Sequence, residues 1–148
     1  MNEVLRELYR RDLLKLKKEI ERYSDDSILW IIENSIKNSG GNLCLHLIGN
    51  LKAFIGVGLA GSDYVRQREF EFAGKFVPRE DLYAQIDETI IIIDEGLNKL
   101  TDEQFSNDLF PIKIWKEKTG MAFTLMHLHA HLNYHLGQIN YHRRLLDT

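Results

Sequence analysis

Hydrophobic side chains recur every three to four positions over four long segments of the chain, which is the spacing of amphipathic α-helices. The pattern predicts helices over about Asn2–Tyr23, Asn42–Ala60, Pro78–Leu100 and Gly120–Leu146. Four helices of this length in a chain of 148 residues predict an all-α fold, a four-helix bundle that forms one domain over residues 1–148. The connections between the helices are compatible with simple up-down topology and with crossover topology.

Three shorter segments also carry local signals. Thr101 to Gln104 has the pattern of a capping box and predicts a short additional helical turn. Arg68–Phe72 and Phe110–Lys116 alternate between apolar and polar residues, so they could form short extended pieces.

Composition and charge narrow the classes of function. The chain is 44% hydrophobic and 28% charged, with a net charge of −3, which leaves no excess of cations to neutralise a nucleic acid. The N-terminus lacks the pattern of a secretory signal, and the longest aliphatic run, Ile90–Ile93, is too short to span a membrane. The single cysteine, Cys44, fits a reducing compartment. These features predict a cytoplasmic enzyme or binding domain with no nucleic-acid or membrane partner.

The fourth predicted helix contains five of the six histidines. One narrow face of that helix carries four imidazoles and one amide, those of His127, His131, His135, Gln138 and His142, whereas His129 points away from it. Leu128, Tyr134 and Leu145 fall on the same face, so we expect the face to be buried. Burying imidazoles costs free energy unless each ring nitrogen has a partner, and a bound divalent transition metal would compensate for that cost.

A third ligand for such a metal is present on the second helix. Histidines four residues apart lie about 6 Å apart along a helix and can share one ion, which favours His127 with His131 or His131 with His135. His46 lies on the inner stripe of the second helix and could supply a further nitrogen. Three nitrogen ligands with one position left open are typical of catalytic zinc, although nickel and copper also accept imidazole.

The motifs around these histidines resemble those of the DinB/YfiT-like superfamily of metalloenzymes, over nearly the whole chain. The resemblance is carried by Gly41–Leu51, which reads GNLCLHLIGNL, by His131–Ile139, which reads HLNYHLGQI, and by Arg66 and Arg68 before Glu69 and Phe70. It implies an antiparallel four-helix bundle that forms a homodimer and holds a divalent ion, most often zinc or nickel.

The resemblance also implies particular ligands and reactions. Its metal ligands correspond to His46, His131 and His135, because Gly137 and Gln138 fix the register of the second motif. Characterised relatives include transferases that use low-molecular-weight thiols, a thiol-dependent isomerase and proposed hydrolases. We therefore expect a metal-dependent enzyme acting on a small molecule, a thiol S-transferase or a hydrolase, with a low-molecular-weight thiol as a possible co-substrate.

Further residues are candidates for supporting roles near the metal. His127, Gln138 and His142 could contact the ligand imidazoles or line a substrate pocket. Asn50, one turn beyond His46, could orient that histidine or a water molecule. Asp12 lies in the apolar stripe of the first helix; it could hold a ligand imidazole, act as a base, or lie at a partly solvated end of the bundle.

Two further expectations concern charge and assembly. Arg66 and Arg68 could clamp an anionic substrate or cap a neighbouring helix. The second helix is apolar on nearly all sides, which fits a helix buried against a second subunit as well as its own bundle; its outer residues are Leu45, Ile48, Ile55 and Leu59. Two alternatives to catalysis stay open: a non-catalytic metal-binding or stress-related homodimer, and a bundle whose histidines are only polar core residues.

Overall fold

The structure, a computed structural model, describes residues 1–148 and contains helices but no β-strand. In chain order its helices are α1 (Asn2–Glu21), α2 (Gly40–Leu51), α3 (Arg68–Ala73), α4 (Arg79–Asn98), α5 (Asp102–Asn107) and α6 (Met121–Leu146). α2 continues through a π-helical turn, Lys52–Gly56, and a final α-helical turn, Val57–Leu59. The predicted all-α fold is confirmed, and the four long predicted helices are present.

Local sequence signals explain where these helices begin and end. The Ser39 hydroxyl accepts a hydrogen bond from the Asn42 N–H at 3.1 Å and caps the start of α2. Gly61, just past the end of that helix, has a φ of +69°, a left-handed conformation that glycine adopts without strain. The predicted capping box is also confirmed, because Thr101 and Gln104 exchange hydrogen bonds at the start of α5.

Contacts between side chains show the relative directions of the long helices. α1 runs antiparallel to α4, as its ion pairs show: Arg6 with Asp94, and Lys17 with Asp87. α2 runs antiparallel to α6, because Gly40 lies beside His142 whereas His46, further along α2, lies beside His131. α2 and α4 run parallel, as the contacts of Lys52 with Glu88 and of Gly56 with Ile92 show. The segment between α2 and α4 is therefore a crossover connection, which settles the choice of topology that periodicity left open.

The core of the protein is one cluster of 27 buried hydrophobic residues, to which all four long helices contribute. On α6 the buried stripe consists of Leu125, Leu128, Leu132, Leu136 and Ile139. The face that carries His127, His131 and His135 borders this stripe and is only half-buried. The prediction that this whole face is buried was wrong for Tyr134, which is 67% exposed, and for Leu145, which is 62% exposed.

The two predicted extended pieces do not form strands. Arg68–Phe72 lies within helix α3, and Phe110–Lys116 contains no strand; only an isolated bridge joins Leu109 to Gly120 nearby. The Asn42 amide explains the position of α3, since it donates to the carbonyl oxygens of Glu71 at 3.0 Å and Gly74 at 2.7 Å. A tertiary contact of this kind leaves no periodic signal in the sequence.

All twelve residues of α2 are buried within the chain itself. Trp30 packs against Gly41, and Glu71 packs against Gly49, so neighbouring segments cover the side of α2 that was expected to meet a second subunit. The apolar surroundings of this helix thus need no partner chain. The stretch Gly40–Leu59 is also long and apolar enough to cross a membrane, but most of it is buried inside the fold, and core helices commonly share these properties.

Candidate metal centre

His46, His131 and His135 come together at the seam between α2 and α6. One ring nitrogen from each lies within 4.8 Å of the others. The Nε2 atoms of His46 and His131 are 3.2 Å apart, and the ring centres of His131 and His135 are separated by 4.5 Å. Of the two histidine pairs that spacing allowed on α6, the structure places His131 and His135 beside His46.

The orientation of His46 is set by a buried carboxylate. Its Nδ1 donates to Oε1 of Glu71 at 3.1 Å. The guanidinium of Arg66 donates two hydrogen bonds of 2.9 Å to the same carboxylate. Burial opposes ionisation of Glu71, but the hydrogen bonds from His46 and Arg66 outweigh it and hold the pKa of this carboxyl below its usual range. An ionised Glu71 can accept the Nδ1 proton, and in the neutral imidazole of His46 this leaves the lone pair on Nε2, which faces the cluster.

Two features of the backbone allow Glu71 to reach His46. A Cβ atom at Gly49 would overlap the Glu71 carboxylate, so only glycine on α2 leaves room for it. Helix α3 is anchored to α2 by the Asn42 amide, and this contact places Glu71 level with His46 along the axis of α2. Glu71 and Gly49 were not among the predicted site residues. The only signal in the sequence was the Arg66 to Phe70 stretch, which ends one residue before Glu71.

His135 has a similar arrangement with a neutral partner. Its Nδ1 lies 2.7 Å from Oε1 of Gln138, one turn further along α6. The amide oxygen can only accept, which places the proton on Nδ1 and leaves Nε2 free. Burial lowers the pKa of His135, and the hydrogen bond to Gln138 opposes that effect in part.

His131 differs from the other two imidazoles. Its Nδ1 is buried and has no hydrogen-bond partner. Burial, followed by the neighbouring His135 and His46, lowers the pKa of His131 to about 4. This imidazole is therefore neutral near pH 7, as a metal ligand must be.

The three histidines could hold a divalent metal ion. Ligands about 2.1 Å from a tetrahedral zinc ion lie roughly 3.4 Å from one another, which is close to the Nε2 separation of His46 and His131. Acceptors for the Nδ1 protons of His46 and His135 match the outer hydrogen bonds that orient histidines in metal sites. The donor set of three imidazoles suits a transition metal rather than calcium or magnesium, which prefer oxygen.

The remaining candidates on the histidine face lie outside this cluster. His127 packs against the ring of Trp115, with 4.6 Å between ring centres. Both nitrogens of His142 have partners, the Tyr23 hydroxyl at 2.8 Å and the Ile31 carbonyl at 2.9 Å, so it bridges two segments of the core. Asn50 is buried, and its Oδ1 atom has no partner.

Asp12 is fully buried and holds a different imidazole from those of the cluster. Its Oδ2 accepts from His129 at 2.7 Å and from Asn133 at 2.9 Å, and its Oδ1 accepts from Arg11 at 2.8 Å. Burial disfavours its charge, but these hydrogen bonds prevail and lower the pKa of Asp12 to about 2. The interpretation of Asp12 as a partly solvated residue was therefore wrong, and its partner His129 lies on the side of α6 that faces α1.

The two arginines have different surroundings. Arg66 is engaged by Glu71, whereas Arg68 is exposed and its guanidinium lies 5.4 Å from the centre of the Phe72 ring. Neither arginine donates to the end of a helix. Arg66 contributes to the cluster by holding the carboxylate that orients His46.

A cavity of about 390 Å³ is lined in part by Gln138, the residue that accepts from Nδ1 of His135, and by none of the three clustered histidines. Its walls are the loop that precedes α2, the first turn of α2 and the C-terminal half of α6; they include Lys37, Leu43, Gln138 and Tyr141. The size of this cavity suits a small organic molecule.

Comparison with known proteins identifies a family and a fold. Residues 2–148 match the family described as "Protein of unknown function (DUF1572)". The structure is similar to one described as "Crystal structure of the conserved protein of locus from Enterococcus faecalis", with a TM-score of 0.76 over 99% of this chain and 96% of that chain. The two sequences are 17% identical, so the similarity shows a shared fold and nothing about activity. No curated protein matches the chain.

Proposed function

The chain belongs to DUF1572, a family of proteins of unknown function, and we propose that it is a metal-dependent enzyme that acts on a small molecule. Its reaction is a thiol S-transfer or a hydrolysis, and its bundle is of the DinB/YfiT type. The ion is zinc or nickel, held by His46, His131 and His135.

One observation carries this proposal. Three imidazoles from two helices converge at a half-buried position, where the buried Glu71, paired with Arg66 and accommodated by Gly49, orients one of them. Core histidines that serve packing alone are satisfied individually, as His142 is by Tyr23 and Ile31. The clustered histidines instead direct ring nitrogens toward one another, which favours a shared cation.

The chemistry follows from the ligand set. When bound, a divalent ion with three protein ligands has room for a further ligand and lowers the pKa of a water molecule or thiol that reaches it. Burial lowers the pKa of His131 and His135 and so favours the neutral forms of these two imidazoles, while Glu71 and Gln138 hold the Nδ1 protons of His46 and His135. Glu71 is already engaged by Arg66, so we assign it to orientation rather than to proton transfer.

The preference for a thiol transfer and for a low-molecular-weight thiol as co-substrate rests on the resemblance to the DinB/YfiT-like proteins. The cavity beside Gln138 supports a small-molecule substrate, since its volume is that of a small-molecule pocket. Lys37 is the one charged residue in its lining, which suits a substrate with an acidic group. A cytoplasmic location remains a prediction.

We further propose a homodimer, formed through α6 rather than through α2. No charged residue occurs from Met121 to His142, although the outward face of this helix is exposed. That face carries large apolar and aromatic side chains, those of Phe123, Met126, Tyr134 and Tyr141. Surface helices normally carry charge on their outward side, and exposed apolar patches mark contact surfaces. A second copy could cover this face by pairing the two α6 helices about a two-fold axis.

Metal titration tests the core of the proposal. We expect the metal-free chain to bind one zinc or nickel ion, and we expect His46→Ala, His131→Ala and His135→Ala each to weaken that binding strongly. His129→Gln is the matched control, because it changes another α6 histidine that faces α1 and keeps a donor for Asp12. Equal binding by the control and the three cluster variants would refute the metal site.

Activity is tested with the metal-loaded chain. Candidate low-molecular-weight thiols are incubated with monochlorobimane, and hydrolysis is followed with a panel of ester and amide substrates. We expect turnover that depends on metal and disappears in His135→Ala. If the chain binds metal stoichiometrically but its turnover does not exceed that of His135→Ala, the protein is a non-catalytic metal-binding protein and not an enzyme.

A further inference from the structure

Three buried side-chain atoms lack a hydrogen-bond partner: Oδ1 of Asn2, Oδ1 of Asn50 and Nδ1 of His131. Asn2 is already anchored by its amide nitrogen to the carbonyl groups of Leu97 and Leu100, at the end of the bundle where α1 begins. The other two atoms belong to α2 and α6, the helices that carry the three clustered histidines. Buried polar atoms almost always have a partner, so a pair of orphans on facing helices needs an explanation.

The helix register places Asn50 opposite His131. Asn50 follows His46 by four residues on α2, so both side chains leave the same face of the helix, about 6 Å apart along its axis. α2 is antiparallel to α6: Gly40 lies beside His142, and His46 lies beside His131 and His135. One turn beyond His46 therefore corresponds on α6 to the segment between His127 and His131.

The two orphan atoms are chemically complementary. An amide oxygen can only accept a hydrogen bond, and a neutral imidazole that offers the lone pair of Nε2 to a metal carries its proton on Nδ1. The other two imidazoles of the cluster already show this arrangement, with Glu71 as acceptor for His46 and Gln138 as acceptor for His135. Only His131 lacks an oxygen acceptor.

We propose that Asn50 is the positioning residue for His131: its Oδ1 accepts the Nδ1 proton of His131, directly or through one water molecule, when the cluster holds its metal. This inference rests on the proposed metal site and goes beyond it, because it assigns a partner to the third imidazole. Each histidine of the cluster then has one oxygen acceptor: Glu71 of α3 for His46, Gln138 of α6 for His135, and Asn50 of α2 for His131. Asn50 fixes the tautomer in which Nε2 of His131 is free to bind the ion.

The test compares the zinc affinity of two variants by competition with a chromophoric chelator. Asn50→Leu keeps the size of the side chain and removes the acceptor, and we expect zinc binding to weaken by about 10- to 100-fold, as for other outer partners of ligand histidines. Asn50→Asp retains an acceptor oxygen, and we expect it to restore the affinity. Asn133→Leu is the control, since it removes an asparagine from the opposite side of α6, where it contacts Asp12 and not the cluster.

The rate at which the Nδ1 proton of His131 exchanges with solvent gives a readout that a purely structural role would not move. In long-range proton–nitrogen NMR spectra of the zinc-loaded chain, we expect His131 to carry its proton on Nδ1, and we expect that signal to exchange more rapidly with solvent in Asn50→Leu. Unchanged zinc affinity in Asn50→Leu, or equal weakening in Asn50→Asp, would overturn the role of Asn50 while leaving the metal site intact. If the unaltered chain binds no zinc, the proposed function fails first. If Asn50→Leu does not fold, the zinc affinity of Asn50→Asp and the solvent-exchange rate of the Nδ1 proton in the unaltered chain still decide the question: rapid exchange there would overturn the role of Asn50.

Discussion

The histidines of the cluster differ in the charge of the group that accepts the hydrogen bond from Nδ1. His46 donates to an ionised carboxylate, whereas His135 donates to a neutral amide. A charged acceptor makes an imidazole a stronger electron donor toward a metal, so His46 should bind a metal most tightly of the three proposed ligands. Removing the charge of Glu71 isolates this effect from the effect of its shape.

Glu71→Gln should weaken zinc binding by about 10-fold or more, because the amide accepts a weaker hydrogen bond from His46 and leaves Arg66 without its ion pair. Competition titration with a chelator measures the change. Glu88→Gln is a suitable control, since it removes an exposed carboxylate that pairs with Lys52 rather than with the histidine cluster. Zinc binding that is indifferent to Glu71→Gln would contradict the role assigned to this carboxylate.

Gly49→Ala should displace Glu71, because the added methyl group would occupy the space of the carboxylate. We expect weaker zinc binding together with a loss of about 1–3 kcal/mol in the free energy of unfolding, since overpacking strains a well-packed site. Gly120→Ala has open space around the new methyl group and provides the control in both measurements. If Gly49→Ala bound zinc as tightly as Gly120→Ala, Glu71 would not need its present position.

Acid should destabilise the metal-free chain through its buried imidazoles. The pKa of His131 is about 4 in the folded chain and near 6.5 in the unfolded chain. Between these two pH values the unfolded chain binds more protons than the folded chain. The contribution of the neutral His131 to the free energy of unfolding is therefore fully present above pH 6.5 and is lost as the pH falls toward 4. His135 and His142, whose pKa values are also lowered by burial, act in the same direction.

Urea unfolding in the presence of a chelator, between about pH 5 and pH 7, measures this effect. We expect the free energy of unfolding to decline toward the acid end of this range, and to decline less steeply in His131→Gln. Asp12 does not contribute in this range, because the pKa of its carboxyl is about 2 and its stabilising effect is lost only in stronger acid. Equal slopes for the two chains would show that His131 titrates normally.

The residues that sequence reasoning found are those whose chemistry repeats along one element. His131 and His135 are four residues apart on a helix, and His46 lies on an apolar stripe. Periodicity and the DinB/YfiT-like motifs therefore both indicated these three histidines as candidate metal ligands. Glu71 could not be found in this way. It is separated from His46 by a helix end and a loop, and only the position of α3 brings the two side chains together.

Among the elements, α6 joins two polar systems that lie on different sides of it. One side faces α2 and carries the cluster, while the other faces α1 and carries His129 and Asn133, which bind the buried Asp12. Replacing Asp12 should therefore loosen the contact of α1 with α6 and leave the cluster unchanged.

Asp12→Asn should lower the free energy of unfolding by about 1–3 kcal/mol, because it removes the charge that His129, Asn133 and Arg11 hold in a buried position. Urea unfolding measures the loss, and zinc titration should show an unchanged affinity. A large fall in zinc affinity would indicate that the two sides of α6 are coupled.

Element lengths also explain which parts of the fold were predictable. The long helices contain several turns each, so their hydrophobic stripes are unambiguous. Helix α3 has six residues, too few to distinguish a helical from an alternating pattern, and it was predicted as an extended piece. The apolar surroundings of α2 were predicted, but the elements of the chain that cover it, Trp30 and α3, were not.

At the scale of the whole molecule, the outward face of α6 is an apolar surface that the single chain leaves uncovered. The long helices bury one common core, and α1 and α4 face solvent with charged side chains such as those of Arg6, Lys17, Asp87 and Asp94. The outward face of α6 has no such charges before Arg143. The same helix carries two of the cluster histidines, and the exposed Tyr134 packs against His135 with 5.3 Å between ring centres.

Tyr134→Glu should therefore convert the proposed dimer into a monomer, because it would place a charge from each copy in an apolar contact. Sedimentation velocity measures the oligomeric state. Ile91→Glu is the matched control: Ile91 is a similarly exposed apolar residue, but it lies on α4, away from α6. We expect the control to remain dimeric and the Tyr134 variant to bind zinc with weakened affinity, since the aromatic neighbour of His135 would also be lost. A chain that is monomeric without any substitution would exclude the α6 contact, and a variant at Ile91 that alone disrupted the dimer would place the contact on α4.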